Sequence, residues 1–214
     1  MKAMILAAGY GRRMQPLTLQ VPKPAIPVLG RPLIQQVLTN LGTCGCRQAT
    51  VNLHHLPDSL APLLTEMPAY GLERIHLSLE QDLILGTGGG IRHAAEHLRG
   101  DGTILIRNSD FLLDLDLDEA LDFHRRSGRP VTLVLAGARP GYTAVPFDRN
   151  GQVLSFGDLA EYDPAAVAGE GLFTGLHLME EEVLARIPGP EPCDIVRDVY
   201  LPMLAQGAVG AYPS

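Results

Sequence analysis

Short continuous apolar runs and stretches of helical spacing follow one another along the whole chain. Lys2 to Ala8 is a run too short for a helix and it breaks at Gly9, the pattern of a strand buried on both faces of a parallel sheet. Pro16, Pro22, Pro24, Pro27 and Pro32 keep residues 15–31 out of regular structure. Pro32 then opens a helix over Leu33 to Leu41, which Gly42 and Gly45 close. A second strand is predicted over Ala49 to Leu53, a helix from Asp58 to Glu66 behind Pro57, and a third strand over Arg74 to Leu79. Gly86-Thr87-Gly88-Gly89-Gly90 reads as a glycine-rich loop that runs into a helix over Ile91 to Leu98, whose N-terminus carries partial positive charge.

Thr103 to Ile106 predicts a fourth strand, ending in Asn108-Ser109-Asp110, and Leu117 to Arg126 a helix. A strand over Val131 to Ala136 and a hairpin-like region from Tyr142 to Phe156, turning at Asn150-Gly151, come next. The chain closes with a strand over Leu172 to Met179, helical stretches over Glu180 to Arg186 and Ile195 to Ala205, and a last strand over Ala208 to Tyr212. Strands alternating with helices predict an α/β fold with a mostly parallel central sheet. No internal repeat, low-complexity tract or linker marks a boundary, so residues 1–214 read as one domain.

Composition narrows the function classes. With 46% hydrophobic and 19% charged residues, the chain carries enough apolar surface for a full core. The net charge of -7 is unevenly spread: residues 1–57 hold Lys2, Arg12, Arg13, Lys23, Arg31 and Arg47 and no acid, a balance of +6, while the remaining 11 Lys/Arg against 24 Asp/Glu give -13. So local a cationic patch excludes a nucleic-acid binder and suits a small anion. Cys44, Cys46 and Cys193 are an odd set, against a disulfide framework and for a reducing compartment. Cys44-Gly45-Cys46 lacks partners at zinc spacing and reads as small residues closing a helix. The apolar run after Lys2 is shorter than the roughly 7 to 15 residues of a signal-peptide core, and no run approaches the ~20 of a membrane span. A cytoplasmic protein without a membrane partner is expected.

The chemistry concentrates near the N-terminus. Gly9 and Gly11 let the backbone bend and bring its N–H groups close to a ligand, as in loops that cradle phosphates. Arg12 and Arg13 add planar guanidinium forks, and Lys23, between Pro22 and Pro24, adds a point charge. Together they suit a triphosphate. A dinucleotide fold is disfavoured, since position 14 is Met rather than the third glycine and the first acid is Asp58; no Walker phosphate loop is present.

Asp110, just past a strand, has two readings of equal weight: a ligand for a hard cation such as Mg²⁺, or a turn cap after Asn108. Asp114, Asp116 and Asp118 alternate with leucines and lack the offsets of a calcium loop, so they read as solvated. His54, His55, His76, His93, His97, His124 and His177 form no triad or metal set, and no serine lies in a G-x-S-x-G elbow.

Leu6-Ala7-Ala8-Gly9-Tyr10-Gly11-Arg12-Arg13-Met14-Gln15-Pro16-Leu17-Thr18 followed by Pro22-Lys23-Pro24 resembles the signature of the sugar-1-phosphate nucleotidylyltransferases. Gly86-Thr87-Gly88-Gly89-Gly90 resembles the family's base-binding loop, Asn108-Ser109-Asp110 its N-G-D metal motif, and Phe173-Thr174-Gly175 its sugar-side strand. Within the family the chain is most similar to short enzymes of the mannose-1-phosphate guanylyltransferase and N-acetylmuramate-1-phosphate uridylyltransferase type. The resemblance implies a three-layer α/β/α Rossmann-like fold and a Mg²⁺-dependent transfer of a nucleotidyl group from a nucleoside triphosphate to a sugar 1-phosphate.

It implies roles as well. Arg13 would hold the leaving β,γ-phosphates, Lys23 would neutralise charge between the α-phosphate and the sugar phosphate, and Asp110 would hold Mg²⁺. Ala8, Gly9, Gly11 and Arg12 would line the phosphates, Gly88 and Gly89 would lie against the base, and Thr174 with Gly175 would meet the sugar. Ser109 replaces the motif's glycine, and the family's E-K-P segment is missing, since Phe156 is followed by Gly157-Asp158-Leu159. The family's second metal carboxylate lies in a W-x-D-x-G-T segment that the sequence does not reach before Ser214, so one Mg²⁺ ligand is expected to be lacking. Two other readings stay open: a non-catalytic nucleotide or nucleotide-sugar binding module, and a nucleotidylyltransferase with another phosphate acceptor, such as phosphocholine or a molybdopterin. Base, sugar and oligomeric state are not legible.

Overall fold

The computed structural model describes residues 1–65, 70–112 and 116–214. Glu66, the expected end of the second helix, and Asp114 lie outside the described residues. Strand β1 (Lys2–Leu6) buries Ala3, Met4 and Ile5 completely, as a strand covered on both faces must. The proline-rich stretch after it is more ordered than its prolines suggest. It forms single 3₁₀ turns at Arg12–Met14, Leu17–Leu19 and Lys23–Ala25, then a small hairpin of β2 (Pro27–Val28) and β3 (Arg31–Pro32). Proline blocks an α-ladder but its fixed φ suits such short turns.

Helix α1 (Leu33–Thr43) buries Leu33, Ile34, Val37, Leu38 and Leu41 along one face. It runs through Gly42, which the sequence predicts as a terminator. A Cβ there would overlap the Tyr70 carbonyl oxygen, so Gly42 serves close packing, and Gly45, at φ +77°, follows the helix end. β4 (Gln48–Leu53), α2 (Pro57–Thr65) and β5 (Arg74–Leu79) follow. The next helix begins at the glycines themselves: α3 (Gly86–His93) and α4 (Ala95–Leu98) are separated at Ala94.

β6 (Thr103–Asn108) extends past Ile106 to include Asn108. α5 (Leu117–Ser127) is capped by Asp116, whose carboxylate accepts the Glu119 N–H at 3.0 Å. β7 (Val131–Gly137), β8 (Ala144–Phe147) and β9 (Gly169–Glu180) lead to a 3₁₀ stretch at Glu181–Arg186 and a π-helical turn at Ile195–Tyr200. The chain ends with α6 (Leu201–Leu204), which holds Pro202, and β10 (Val209–Pro213).

The main sheet has the order β10-β7-β9-β6-β1-β4-β5, with β8 paired to β9. β1 is parallel to β4 and β6, β4 to β5, and β10 to β7, whereas β9 runs against β6, β7 and β8. One core lies under α1, α2 and α5 and the other under α3, α4, the π-helical turn and α6, giving the expected three layers. Among the described residues no helix is long and apolar enough to cross a membrane.

β9 is locally irregular where it nears the cleft. Leu133 pairs with His177 but Leu135 with Phe173, so β9 carries extra residues between them, and Gly175 adopts φ +78°. The Thr174 hydroxyl stabilises the bulge by donating to Val134 O at 2.9 Å and accepting the Leu176 N–H at 3.2 Å. Beside it His177, 2% exposed, packs between Phe173 and Tyr200 with neither ring nitrogen hydrogen-bonded. Burial without a partner pushes its pKa down to about 3.

Candidate active site

Where β1 and β6 end, the chain leaves the sheet in two adjacent turns, and a cleft of about 370 Å³ opens between them. In open α/β sheets, ligands bind at such carboxyl ends of the strands. The first turn, residues 7–14, forms the floor and carries the cationic groups; the second brings Ser109 and Asp110.

The floor is pinned on both sides. Gly11 holds φ +63°, and a Cβ on it would stand 2.8 Å from Thr18 Cγ2, so only glycine fits the bend. The Thr18 hydroxyl donates to Gly11 O at 3.0 Å, and His55 Nε2 donates to Thr18 O at 2.6 Å. Tyr10 hydrogen-bonds His54 Nε2 at 2.9 Å, and the Arg12 guanidinium lies over the Tyr10 ring at 5.3 Å. His54 and His55, to which the sequence assigns no role, are therefore ties that hold the glycine bend to the end of β4.

Ala8, Gly9, Gly11, Arg12, Arg13 and Lys23 all line this cleft, and so does Asp110. Lys23 and Asp110 form an ion pair with side chains 28% and 31% exposed. The Asp110 carboxylate thus takes part in a contact across the cleft. The turn after β6 is tied down by Arg107, whose guanidinium donates to Phe111 O at 2.5 Å and to Asn40 Oδ1 at 3.0 Å. Arg107 is only 2% exposed, and desolvation lowers its pKa to about 10.

Gly88, Gly89, Thr174 and Gly175 do not line the cleft. Gly86 and Thr87 do, and Gly88 and Gly89 lie behind them in the first turns of α3. A Cβ on Gly88 would sit 2.8 Å from Cys193 Sγ, and the Gly88 N–H donates to Cys193 O at 3.0 Å. These glycines seat α3 on residues 193–195. Thr87 completes the seat, accepting the Ile195 N–H at 2.8 Å and donating to Asp194 at 3.2 Å. Gly175 lies against the Asn108 side chain, which a Cβ would overlap, so Thr174 and Gly175 back the cleft through Asn108.

Sequence reading missed Asn52, Thr87 and Arg107. Asn52 directly follows the buried Val51, and Arg107 directly follows the apolar Ile104-Leu105-Ile106 run; a polar group buried in a strand points to a hydrogen-bonding partner. Among the described residues no group of three or more His, Cys, Asp or Glu converges, and Asp110 is the carboxylate that lines the cleft. A single carboxylate in a cleft that also holds Arg12, Arg13 and Lys23 fits a magnesium ion brought in with an anionic ligand, since magnesium keeps most of its shell as water and ligand oxygen.

Residues 2–206 match the nucleotidyl transferase family. The chain is 32% identical over 212 residues to a mannose-1-phosphate guanylyltransferase of Mycobacterium tuberculosis, covering 98% of this chain and 57% of that protein. It is 34% identical over 195 residues to the N-acetylmuramate alpha-1-phosphate uridylyltransferase of Caulobacter vibrioides, covering 88% of this chain and 79% of that one. The chain thus spans little more than half the length of the first of these relatives. The crystal structure of HddC from Yersinia pseudotuberculosis complexed with GMP-PN shares the fold, at a TM-score of 0.80 and 18% identity over 100% of this chain and 90% of that one. With the family matched over nearly its whole length and a relative 34% identical over most of it, the chain belongs to the nucleotidyl transferase family.

Proposed function

We propose that the protein transfers a nucleotidyl group from a nucleoside triphosphate to a sugar 1-phosphate, giving a nucleotide sugar and pyrophosphate. The observation that carries this reading is the convergence of Arg12, Arg13, Lys23 and Asp110 on one cleft floored by the Gly9–Gly11 bend. An oxygen of the sugar phosphate attacks the α-phosphorus in line, the bond from the α-phosphorus to the bridging oxygen breaks, and pyrophosphate leaves with the electron pair. Such a transfer needs positioned charge more than covalent help.

Arg13 is assigned to the leaving β,γ-phosphates and Arg12 to the same triphosphate, with the Tyr10 ring beneath its guanidinium. Lys23 is assigned to the α-phosphate and the incoming phosphate, where negative charge crowds in the transition state. Asp110 is assigned to a magnesium ion, whose charge offsets that of the phosphate oxygens when it is bound. Before either acts, the Lys23–Asp110 pair must open. That closed pair also supports a second reading, a nucleotide-binding module without turnover.

The test is pyrophosphate release with Mg²⁺ across UTP, GTP, dTTP, CTP and ATP, each crossed with a panel of sugar 1-phosphates. Release that needs one triphosphate and one sugar phosphate supports the enzyme and names both substrates. Nucleotide binding without release from any pair favours the module.

A further inference from the structure

Glu80, immediately after β5, is 3% exposed, and it is the buried acid among the described residues. Burying a carboxylate is costly unless its oxygens are met, and here two neutral donors meet them. Oε1 accepts the Asn52 side-chain N–H at 2.7 Å, and Oε2 accepts the Leu85 backbone N–H at 2.8 Å. Asn52, itself 2% exposed, turns its Oδ1 to the Ala7 N–H at 2.7 Å. The backbone of Glu80 is fixed too: its N–H donates to Leu53 O at 2.8 Å, and its carbonyl accepts His54 Nδ1–H at 2.8 Å.

The result is a strut across the cleft. One end holds Ala7, where β1 gives way to the floor, and the other holds Leu85, between Ile84 and Gly86 in the opposite wall. α3 packs directly on the strut, since a Cβ on Gly90 would stand 2.6 Å from Asn52 Nδ2 and 2.9 Å from Glu80 Oε1. The last glycine of the Gly86–Gly90 run is thus accounted for by this pair. None of the strut's hydrogen bonds goes to Arg12, Arg13, Lys23 or Asp110.

We propose that Asn52 and Glu80 are positioning residues for the nucleoside half of the triphosphate. They set the separation between the start of the floor at Ala7 and the Ile84–Thr87 wall without bonding to the cationic side chains. The proposal rests on the nucleotidyl-transfer reading for its ligand. The chemistry at position 52 is restrictive: the site needs an acceptor for Ala7 and a donor for Glu80 on one planar group, which a carboxamide supplies. Asn52→Asp sets carboxylate against carboxylate, and Glu80→Gln turns an NH₂ toward one of two N–H donors. Combined in one chain, however, Asn52→Asp and Glu80→Gln restore all three hydrogen bonds with the charge moved to the other position.

The test compares Asn52→Asp, Glu80→Gln and the double variant, reading Kd for the nucleoside triphosphate and for inorganic tripolyphosphate by calorimetry, alongside steady-state KM and kcat. Each single variant is expected to weaken nucleotide Kd and KM by about tenfold, the usual scale for an unmet buried hydrogen bond, with kcat little changed. Tripolyphosphate Kd is expected to stay constant, and the double variant to recover nucleotide affinity to within about threefold of the parent protein. A lowered melting temperature with unchanged nucleotide affinity, or a parallel loss of tripolyphosphate binding, overturns the positioning role. So does a double variant no better than the singles. Absence of nucleotidyl transfer by the parent protein removes the reaction but leaves the Kd comparison decisive, and absence of nucleotide binding removes both.

Discussion

The Lys23 ammonium closes on the Asp110 carboxylate, joining two turns that lie 87 residues apart in sequence. Each is assigned a different partner in the proposed reaction, so each stands in the way of the other's ligand. Lys23→Met is expected to free Asp110 and tighten Mn²⁺ binding in the absence of nucleotide by about two- to fivefold, the worth of a partly exposed ion pair. Nucleotide affinity is expected to fall in the same variant. Electron paramagnetic resonance of free Mn²⁺ measures the first, and an unchanged metal affinity shows that the pair does not compete.

Removing the carboxylate acts in the opposite direction. Asp110→Asn is expected to raise the Mg²⁺ concentration needed for half-maximal pyrophosphate release, since a neutral amide is a poorer ligand for a hard cation. An identical Mg²⁺ titration takes Asp110 out of the metal site.

Arg13 is assigned to charge that grows on the leaving pyrophosphate. Arg13→Ala is therefore expected to lower kcat by on the order of 10², as loss of one transition-state donor does in other enzymes. A rise in KM alone, with kcat intact, means that Arg13 binds ground state and transition state equally.

His177 makes the fold acid-sensitive. Its folded pKa of about 3 lies below the ordinary histidine value of ~6.5, so the unfolded chain takes up a proton that the native chain refuses. Its effect on stability is absent above pH ~6.5, and stability is lost progressively as pH falls from there toward 3, by about 2 kcal/mol at pH 5. Urea midpoints of the parent protein and His177→Leu at pH 7.5 and pH 5 check this. The variant is expected to lose less stability on acidification, and equal losses remove His177 as the cause.

Gly88 is required by packing. Gly88→Ala brings a methyl within 2.8 Å of Cys193 Sγ and 3.3 Å of Cys193 O, and is expected to cost about 1–3 kcal/mol in a thermal or urea melt. Cys193→Ala in that background removes the sulfur and is expected to recover part of the loss. A melt unchanged by Gly88→Ala means that α3 yields without strain.

Much of this is legible in the sequence because it is local. The strand at 74–79 is predicted to its observed bounds, and β1, β4, β7 and β10 within one or two residues, since apolar alternation in the first and short apolar runs in the others are local signals of extended conformation. The Gly9–Gly11 bend with its guanidinium groups is legible for the same reason. The glycines at 42 and 88 read wrongly, as a stop and a loop. What demands them is Tyr70 in one case and Cys193 in the other, residues far along the chain whose approach no local pattern announces.

The sequence by itself determined the order of strands and helices, the glycine bend with its cationic side chains over residues 9–23 and the local concentration of positive charge, because these depend on neighbours in the chain. Tertiary structure decided which distant groups meet. β6 lies beside β1, and that order brings Asp110 to Lys23; β4 lies between β1 and β5, and that order stands Asn52 between Ala7 and Glu80. Strand order follows from how the whole set of apolar faces is buried at once, a sum over the chain that is carried by no single segment of it.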